Sequence, residues 1–332
     1  MLSLEKPGLL STPALLTSPY SLKESFGWVK RFVFGLSKKN YGNVQYLPKT
    51  YQINEINPKY TISFIGDIMD LNFKNLIIHK SVVNFVRNSD FLIGNFEGTL
   101  SSKKKVLMNK QHKPQIMDAL ETLLPPNKIY LSVANNHSGD FGKKQFFHSM
   151  RRLKKQGFNV FGTLKNPFID LSEDIRVIGA TQWSNRPCSY LVKLDHAINY
   201  LKNNSFNIFF PHWGYEMELY PREEIIKQSE VFLNSFDLLI SHHSHCPQPV
   251  SIFKCSNNKK LVAYSLGDFC FSIDNKKFES YNYGIAIKAQ IGLNKERKWV
   301  IGKVKWTFLK SSVISKKESI VKTASYFSDV YN

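Results

Sequence analysis

The chain contains the stretch Phe236-Asp237-Leu238-Leu239-Ile240-Ser241-His242-His243-Ser244-His245-Cys246, in which an apolar run leads into three histidines within four positions. An apolar run of this length predicts a buried strand, and open α/β sheets place their ligand sites at the carboxyl ends of strands. Neutral imidazoles are good ligands for borderline metal ions. The stretch therefore predicts a metal site at a strand end, with a polar loop or a hydrogen-bonded core as the alternative.

The composition is that of a globular protein with a sizeable core. The chain has 332 residues, of which 42% are hydrophobic and 14% aromatic, and this length fits one α/β domain with additions. The sequence has no run of about 18 apolar residues that would predict a spanning helix. It also lacks the basic segment and apolar core of a signal peptide. We therefore expect a cytoplasmic protein, with a peripheral position at the membrane as the alternative.

The net charge of +19 favours an anionic partner. An acidic polymer, a phosphorylated substrate, an anionic membrane and a nucleic acid all meet this description. The lysines form short dispersed clusters, and the sequence has no compact arginine stripe and no recognised nucleic-acid motif. A solvated lysine-rich surface therefore accounts for most of the charge, and nucleic acid is the least favoured partner.

Residues 22–39 predict a basic amphipathic helix. Leu22, Phe26, Val29 and Val33 recur at intervals of four and three, and basic residues occupy other positions. Such a helix packs on the chain's own domain or lies on an anionic membrane surface. Packing on the domain is the favoured interpretation, and the membrane is the alternative.

Three segments are expected along the chain: an N-terminal extension at residues 1–59, a main domain at 60–309 and a C-terminal tail at 310–332. In the main domain, strand-like and helix-like runs alternate as far as Ile240, and consecutive strand-like runs follow. This order predicts an α/β sandwich with helices outside and a strand-rich C-terminal half.

Side chains that bind metals follow five of the predicted strands. They are Asp67; Glu97; Asn136 with His137; His212; and His243 with His245. Carboxylate, amide and imidazole groups suit one or two divalent cations. Each group alone could have a structural role, such as a turn at Gly66-Asp67. Their occurrence together at five strand ends favours a metal centre.

These residues lie in short motifs that resemble those of a known family. The motifs are Gly66-Asp67-Ile68-Met69, Asn95-Phe96-Glu97-Gly98, Ala134-Asn135-Asn136-His137, His212-Trp213-Gly214, His243-Ser244-His245 and Gly267-Asp268-Phe269. Their order is similar to that of the CapA family, the bacterial capsule and poly-γ-glutamate synthesis proteins, which are related to calcineurin-like metallophosphoesterases. The resemblance implies a four-layer, metallophosphatase-like α/β/β/α sandwich.

The resemblance also implies a role for each motif residue. The implied metal ligands are Asp67, Glu97 as a bridge between two cations, Asn136, His212, His243 and His245. His137 is implied as the catalytic proton donor, oriented by Asp140. Glu216 is implied as a support for His212, and Asp268 as a residue near substrate or metal. A helix-start or surface role stays open for Asp140 and Glu216. The cofactor would be one or two divalent ions among Mn, Fe, Zn and Mg.

The chain departs from the wider superfamily at two positions that bear on the metal. Met69 stands where the first superfamily motif has a histidine, so one metal position would lose a ligand and bind weakly. Asp268 replaces the asparagine of the usual Gly-Asn-Phe and adds negative charge.

Two functions follow from these observations. The first is a divalent-metal-dependent hydrolase of the phosphoesterase type, which the retained His137 and the nearly complete ligand set favour. The second is a non-catalytic component that binds or assembles an acidic polymer and keeps a vestigial metal site, which Met69 and the charge of +19 favour. The sequence specifies neither the oligomeric state nor the substrate.

Overall fold

The computed structural model describes residues 19–105, 108–255, 258–271 and 276–327. The α-helices of this part of the chain are α1 Leu22–Phe34, α2 Lys80–Val86, α3 Gln115–Glu121, α4 Lys143–Lys155 and α5 Glu223–Ser235. Its strands are β1 Thr50–Gln52, β2 Asn57–Ile68, β3 Asn75–Ile78, β4 Phe91–Phe96, β5 Thr99–Leu100, β6 Gln111–His112, β7 Ile129–Ser132, β8 Asn159–Phe161, β9 Phe168–Ser172, β10 Ile175–Thr181, β11 Phe206–His212, β12 Leu238–Ile240, β13 Val250–Lys254, β14 Lys259–Ala263, β15 Asp268–Cys270, β16 Tyr283–Leu293, β17 Trp299–Ser315 and β18 Glu318–Ala324. Short 3₁₀ segments lie at Pro126–Lys128, Leu194–Tyr200 and Lys276–Asn282.

The larger sheet is organised around β2. Its ten strands run in the order β3-β18-β17-β16-β2-β4-β7-β8, with β1 beside β17 and β15 beside β2. The apolar residues of β2 from Ile62 to Ile65 are fully buried, which a central strand covered on both faces requires. Strands β2, β4, β7 and β8 are parallel, so their carboxyl ends meet at one edge of the sheet.

The smaller sheet has the order β13-β14-β12-β11-β10-β9. Strands β10, β11, β12 and β14 are parallel in it. Helix α5 connects β11 to β12 and packs Ile225 and Leu233 on the outer face of this sheet, beside Phe209 and Leu239. The parallel strands are therefore covered on both faces, which explains the buried apolar runs within them, such as Ile208–Phe210 of β11.

Apolar cores separate four layers. The core between the two sheets includes Phe64 of β2 and Phe210 of β11, whose ring centroids are 6.5 Å apart. A second core lies between the larger sheet and helices α2, α3 and α4. A third lies between the smaller sheet and α5. The expected four-layer α/β/β/α sandwich is confirmed.

The larger sheet extends beyond the expected limits of the main domain. Residues 310–324, which the sequence division assigned to a tail, form the end of β17 and strand β18, and β18 pairs in parallel with β3. Thr50–Gln52, assigned to the N-terminal extension, pairs with β17. Strand β18 also shows the alternation of a strand with one covered face, since Ser319 and Val321 are buried. Residues 1–18 and 328–332 lie outside the described residues.

Helix α1 contacts the domain through its polar side. Trp28 Nε1 donates a hydrogen bond to the carboxylate of Glu216 at 2.8 Å, and Arg31 Nε donates to its backbone oxygen at 2.9 Å. Glu24 accepts two hydrogen bonds of 2.8 Å from the guanidinium of Arg222. The three α1 residues recur at intervals of four and three, so they share one face of the helix.

The apolar face of α1 points away from the domain. Leu22, Phe26, Val29 and Val33 are 71%, 76%, 50% and 47% exposed. At about 100° per residue, these positions lie opposite the polar side described above. The structure therefore differs from the favoured interpretation of the sequence, in which the apolar face packs on the domain. The ion pairs of Glu24 with Arg222 and of Arg31 with Glu218 hold the polar side inward. No helix of the described chain is both long and apolar enough to span a bilayer.

Candidate metal centre

Five strand ends bring polar side chains to one edge of the sandwich. Strands β2, β4 and β7 end side by side in the larger sheet, and β11 and β12 end side by side in the smaller one. The residues that gather there are Asp67, Glu97, Asn136, His137, His212, His242, His243 and His245, and all of them are buried. Burial of so many polar groups requires specific partners for them.

Asp67, near the end of β2, is held by three groups. Asn95 Nδ2 donates to its Oδ1 at 2.7 Å, the backbone N–H of His243 donates to its Oδ2 at 2.9 Å, and His242 Nδ1 lies 2.9 Å from Oδ1. Burial raises the pKa of Asp67, but His242 and the hydrogen bonds outweigh burial and lower the pKa to about 2. The carboxylate is therefore a fixed anion beside the centre.

Glu97 differs from Asp67, because neither of its buried carboxylate oxygens has a hydrogen-bond partner among the described residues. Three imidazole nitrogens face its Oε1: His245 Nε2 at 3.7 Å, His137 Nε2 at 3.8 Å and His212 Nε2 at 4.0 Å. Burial, followed by the charge of Asp67, raises the pKa of Glu97 well above its usual value. A charged carboxylate without donors is costly to bury, and a divalent cation among these nitrogens would offset that cost, so this group of residues fits a divalent metal.

His212 and Asn136 are joined by a hydrogen bond, and its two atoms also have the separation expected of two ligands of one cation. His212 Nε2 lies 2.8 Å from Asn136 Oδ1, while His212 Nδ1 lies 2.8 Å from His242 Nδ1. Ligand atoms at 2.0–2.2 Å from one cation lie roughly 3 Å from each other. Burial and the surrounding imidazoles lower the pKa of His212 well below its usual value, so the ring is neutral, as a ligand must be.

His245 is oriented by Asp268. Its Nδ1 lies 2.8 Å from Asp268 Oδ1, which leaves Nε2 facing Glu97. Burial disfavours the charged ring, but Asp268 and Glu97 outweigh burial and raise the pKa of His245 to about 10. Asp67, Glu97 and His245 each place a ligand atom within 4.8 Å of the others. Asp268 thus contacts a candidate ligand and holds its ring in place.

His137 lies between Asp140 and Glu97. Its Nδ1 is 2.7 Å from Asp140 Oδ2, and its Nε2 is 3.8 Å from Glu97 Oε1. Asp140 also accepts the backbone N–H of Lys110 at 2.8 Å. The carboxylate is therefore anchored on two sides, and it fixes the imidazole with Nε2 directed into the centre.

Glu216 lies on the side of the centre that faces α1. The resemblance implied that Glu216 supports His212, whereas the structure shows its carboxylate accepting hydrogen bonds from Trp28 and from the hydroxyl of Tyr20. The chain turns away at Gly214, whose φ of 91° favours glycine, and carries Glu216 to this position. Glu216 is instead grouped with His243 and His245, with ligand atoms within 4.8 Å of one another.

The backbone of the histidine cluster is strained. His243 and His245 have φ values of 107° and 55°, in the region that favours glycine. Strain of this kind persists where the surroundings over-determine the conformation, and it concentrates at functional sites. Here the hydrogen bond from the His243 backbone to Asp67 holds the unusual conformation.

Comparison with known proteins places this centre in a family. The sequence model of the family described as "Bacterial capsule synthesis protein PGA_cap" matches residues 61–273, well over half of the chain. The chain belongs to the PGA_cap family. The matched segment contains every site residue predicted from the motifs, and the resemblance to CapA proteins is confirmed.

Two curated relatives of this PGA_cap family member carry the name CapA. "Capsule biosynthesis protein CapA" of Bacillus anthracis is 25% identical over 254 residues, which cover 65% of this chain and 60% of that protein. "PGA biosynthesis protein CapA" of Bacillus subtilis (strain 168) is 23% identical over 241 residues, which cover 63% of this chain and 62% of that protein. The chain therefore spans about three-fifths of the length of these relatives.

The centre of this PGA_cap member includes residues that sequence reasoning missed. His242 was counted among the three imidazoles but not assigned to the site, although its Nδ1 lies 2.9 Å from Asp67 Oδ1. Met69 stands where the first superfamily motif has a histidine, but His242 supplies an imidazole beside Asp67 from another strand end. Asn95, which donates to Asp67, stands in one of the motifs but was given no role from the sequence. Tyr20 carried no signal, because it lies outside the matched segment.

Proposed function

We propose that this PGA_cap family member is a divalent-metal-dependent hydrolase of the phosphoesterase type that acts on an anionic, capsule-related substrate. The observation that carries the proposal is Glu97, a buried carboxylate without a hydrogen-bond partner that faces three imidazole nitrogens within 4.0 Å. An unpaired buried carboxylate lowers the stability of a protein, so a purely structural role does not explain its presence.

The donor set suits two cation positions that share Glu97. Asp67 and His245 would complete one position, and Asn136, His212 and His243 the other, with the metal drawn from Mn, Fe, Zn and Mg. Bound there, such ions activate a water molecule and neutralise charge on a phosphoryl group. Among the described residues, both carboxylate oxygens of Glu97 and Nδ1 of His243 have no hydrogen-bond partner, so these ligand atoms are open to a cation.

His137 is the residue that would protonate the leaving oxygen. Its Nδ1 is held by Asp140 at 2.7 Å, and a carboxylate in this position stabilises the protonated imidazole. The proton on Nε2 is then the one that faces the centre, and transfer of it to the leaving group assists bond cleavage. Asp140 acts by orientation, since it accepts from the ring and from the Lys110 backbone.

A basic groove beside the centre suits an anionic substrate. A groove of about 680 Å³ is lined by four lysines of one loop: Lys103, Lys104, Lys105 and Lys110. This loop is tied to the centre, because the Lys110 backbone donates to Asp140 and Lys103 Nζ donates to the backbone oxygen of Phe141. The Lys105 ammonium pairs with Asp70, and the other lysines of the groove attract the negative charge that phosphorylated substrates and acidic polymers both present. The names of the two relatives favour a polymer of the capsule or PGA type.

Metal-dependent hydrolysis tests the proposed function. Protein stripped of metal and reconstituted with Mn²⁺, Mg²⁺, Zn²⁺ or Fe²⁺ should hydrolyse phosphomonoesters or phosphodiesters with at least one of these ions, and a chelator should abolish the activity. Polyglutamate bound tightly at low salt, with no hydrolysis under any metal and no effect of His137→Ala on binding, would instead establish the non-catalytic polymer-binding function.

The outer face of α1 favours a peripheral position on an anionic membrane. Leu22, Phe26, Val29 and Val33 form an exposed apolar strip, and Phe34 at the helix end is 82% exposed. The exposed charged side chains of residues 22–39 are lysines at positions 23, 30, 38 and 39, while the one acidic residue, Glu24, turns inward. Apolar residues flanked by lysines bind an anionic bilayer surface, to which each lysine contributes about 1 kcal/mol.

Vesicle co-sedimentation checks this placement with two matched variants. Val29 and Val231 are exposed valines on different helices, at 50% and 57%. Val29→Asp should weaken binding to phosphatidylglycerol vesicles at least tenfold, because a charge enters the apolar strip, whereas Val231→Asp should bind like the wild type. Phosphatidylcholine vesicles should bind weakly, and added salt should weaken binding to the anionic ones. Equal binding of both variants, or a dimer that Val29→Asp dissociates, would contradict the proposal.

A further inference from the structure

Tyr20 reaches the metal centre from outside the segment that the family match covers. It precedes α1, its side chain is 5% exposed, and its hydroxyl oxygen lies 2.8 Å from His243 Nε2. Its ring packs against Trp183 and Tyr215, with centroids 5.0 and 6.2 Å away. A tyrosine held on three sides in this way keeps its hydroxyl in one position.

The hydrogen bonds around the hydroxyl decide where its proton lies. A tyrosine hydroxyl donates one hydrogen bond and accepts others. Glu216 Oε1 lies 3.3 Å from the hydroxyl oxygen and is an acceptor only, while the backbone N–H of Glu216 donates to the same oxygen at 3.4 Å. If the hydroxyl donates to Glu216, its oxygen accepts the proton of His243 Nε2, and each group has a partner.

The reverse arrangement leaves a buried donor without an acceptor. If the hydroxyl donated to His243 Nε2, the neutral ring would carry its proton on Nδ1. His243 Nδ1 is buried and has no hydrogen-bond partner in the part of the chain that the structure describes. A buried N–H without an acceptor is rare and costly, whereas a free lone pair is tolerated better and is what a cation needs.

We propose that Tyr20 is a positioning residue of the metal centre: it accepts the Nε2 proton of His243 and thereby keeps the Nδ1 lone pair for the cation. Ligand histidines are commonly fixed in this way by a group that binds their other ring nitrogen. The role rests on the metal-binding function proposed above. The N-terminal segment then completes the centre, since Tyr20 and Trp28 also hold Glu216.

Metal affinity tests this role against a matched control. Tyr20→Phe removes the hydroxyl and keeps the ring, so we expect Mn²⁺ or Zn²⁺ to bind 10–100-fold more weakly, as for other groups that orient a ligand. Tyr215→Phe removes a hydroxyl from the same aromatic cluster and should bind metal like the wild type. Equal affinity of Tyr20→Phe and the wild type would overturn the role.

The tautomer of His243 gives a second readout that is independent of metal and activity. In metal-free protein labelled with ¹⁵N-histidine, long-range proton–nitrogen spectra should place the His243 proton on Nε2, and Tyr20→Phe should lose this preference while Tyr215→Phe keeps it. A wild-type proton on Nδ1 would overturn the role of Tyr20. Wild-type protein that has the expected tautomer and binds no metal would contradict the proposed function instead.

Discussion

Replacing Glu97 by glutamine is expected to weaken the binding of divalent metal at least about 100-fold and to abolish hydrolysis. The loss should exceed that caused by removing a group that only orients a ligand, because Glu97 faces His137, His212 and His245 and would be the carboxylate shared by the two proposed cation positions. Isothermal titration with Mn²⁺ and elemental analysis after desalting measure the effect.

The metal-free Glu97→Gln protein should be at least as stable as the wild type. The carboxylate has no hydrogen-bond partner, and burial together with Asp67 already disfavours its charge, so an uncharged side chain of the same shape removes an unfavourable interaction. Glu296→Gln at an exposed position is the control and should change neither metal binding nor melting temperature. Two results together would contradict a metal-bridging role: a lower melting temperature of the metal-free Glu97→Gln protein than of the metal-free wild type, and an unchanged affinity of the variant for metal.

Replacing His137 by alanine is expected to lower kcat by a factor of about 10²–10⁴ without loss of metal, because a positioned general acid contributes this much. The loss should be largest for substrates with alkoxide leaving groups and small for p-nitrophenyl esters, whose leaving group needs no proton. Asp140→Asn should cause a smaller loss with the same dependence, since Asp140 holds His137 at 2.7 Å. Steady-state rates with a series of leaving groups measure both effects.

His148→Ala serves as the control for this series. His148 is an exposed histidine on α4, outside the centre, so its replacement should leave every rate unchanged. His137→Ala could instead lower kcat equally for all leaving groups and also lose its metal. That result would mean that His137 binds the cation rather than the leaving oxygen.

The layered fold was predictable because its signals are local. The apolar run of β2, the short run of β12 and the helical periods between strands each follow from a few neighbouring residues. The extent of the larger sheet was not predictable in this way. Strand β18 belongs to it through pairing with β3, from Glu318↔Asn75 to Val321↔Ile78, and such long-range pairing leaves no local pattern.

The orientation of α1 shows a different limit of sequence reasoning. The period of Leu22, Phe26 and Val29 identifies which residues share a face, but it does not state which face meets the domain. That choice is made by Arg222, whose guanidinium binds Glu24 across 198 positions of the chain. The contact of Tyr20 with His243 spans 223 positions, and it was missed for the same reason.

The centre itself was predictable in its strand-end residues, because chain order and the parallel topology bring Asp67, Glu97 and His212 to one edge. The partners that orient these residues were harder to find. His242 lies beside Asp67 and His212, yet a histidine pair does not indicate which ring faces the cation and which lies behind it.

Anomalous diffraction from crystals grown with Mn²⁺ tests most directly whether Glu97 bridges a metal centre. We predict two anomalous peaks on either side of the Glu97 carboxylate, one contacted by Asp67 and His245 and the other by Asn136, His212 and His243. The absence of any peak at Glu97 in crystals soaked to saturation, or peaks only at surface histidines such as His196, would contradict the metal centre and the hydrolase that depends on it.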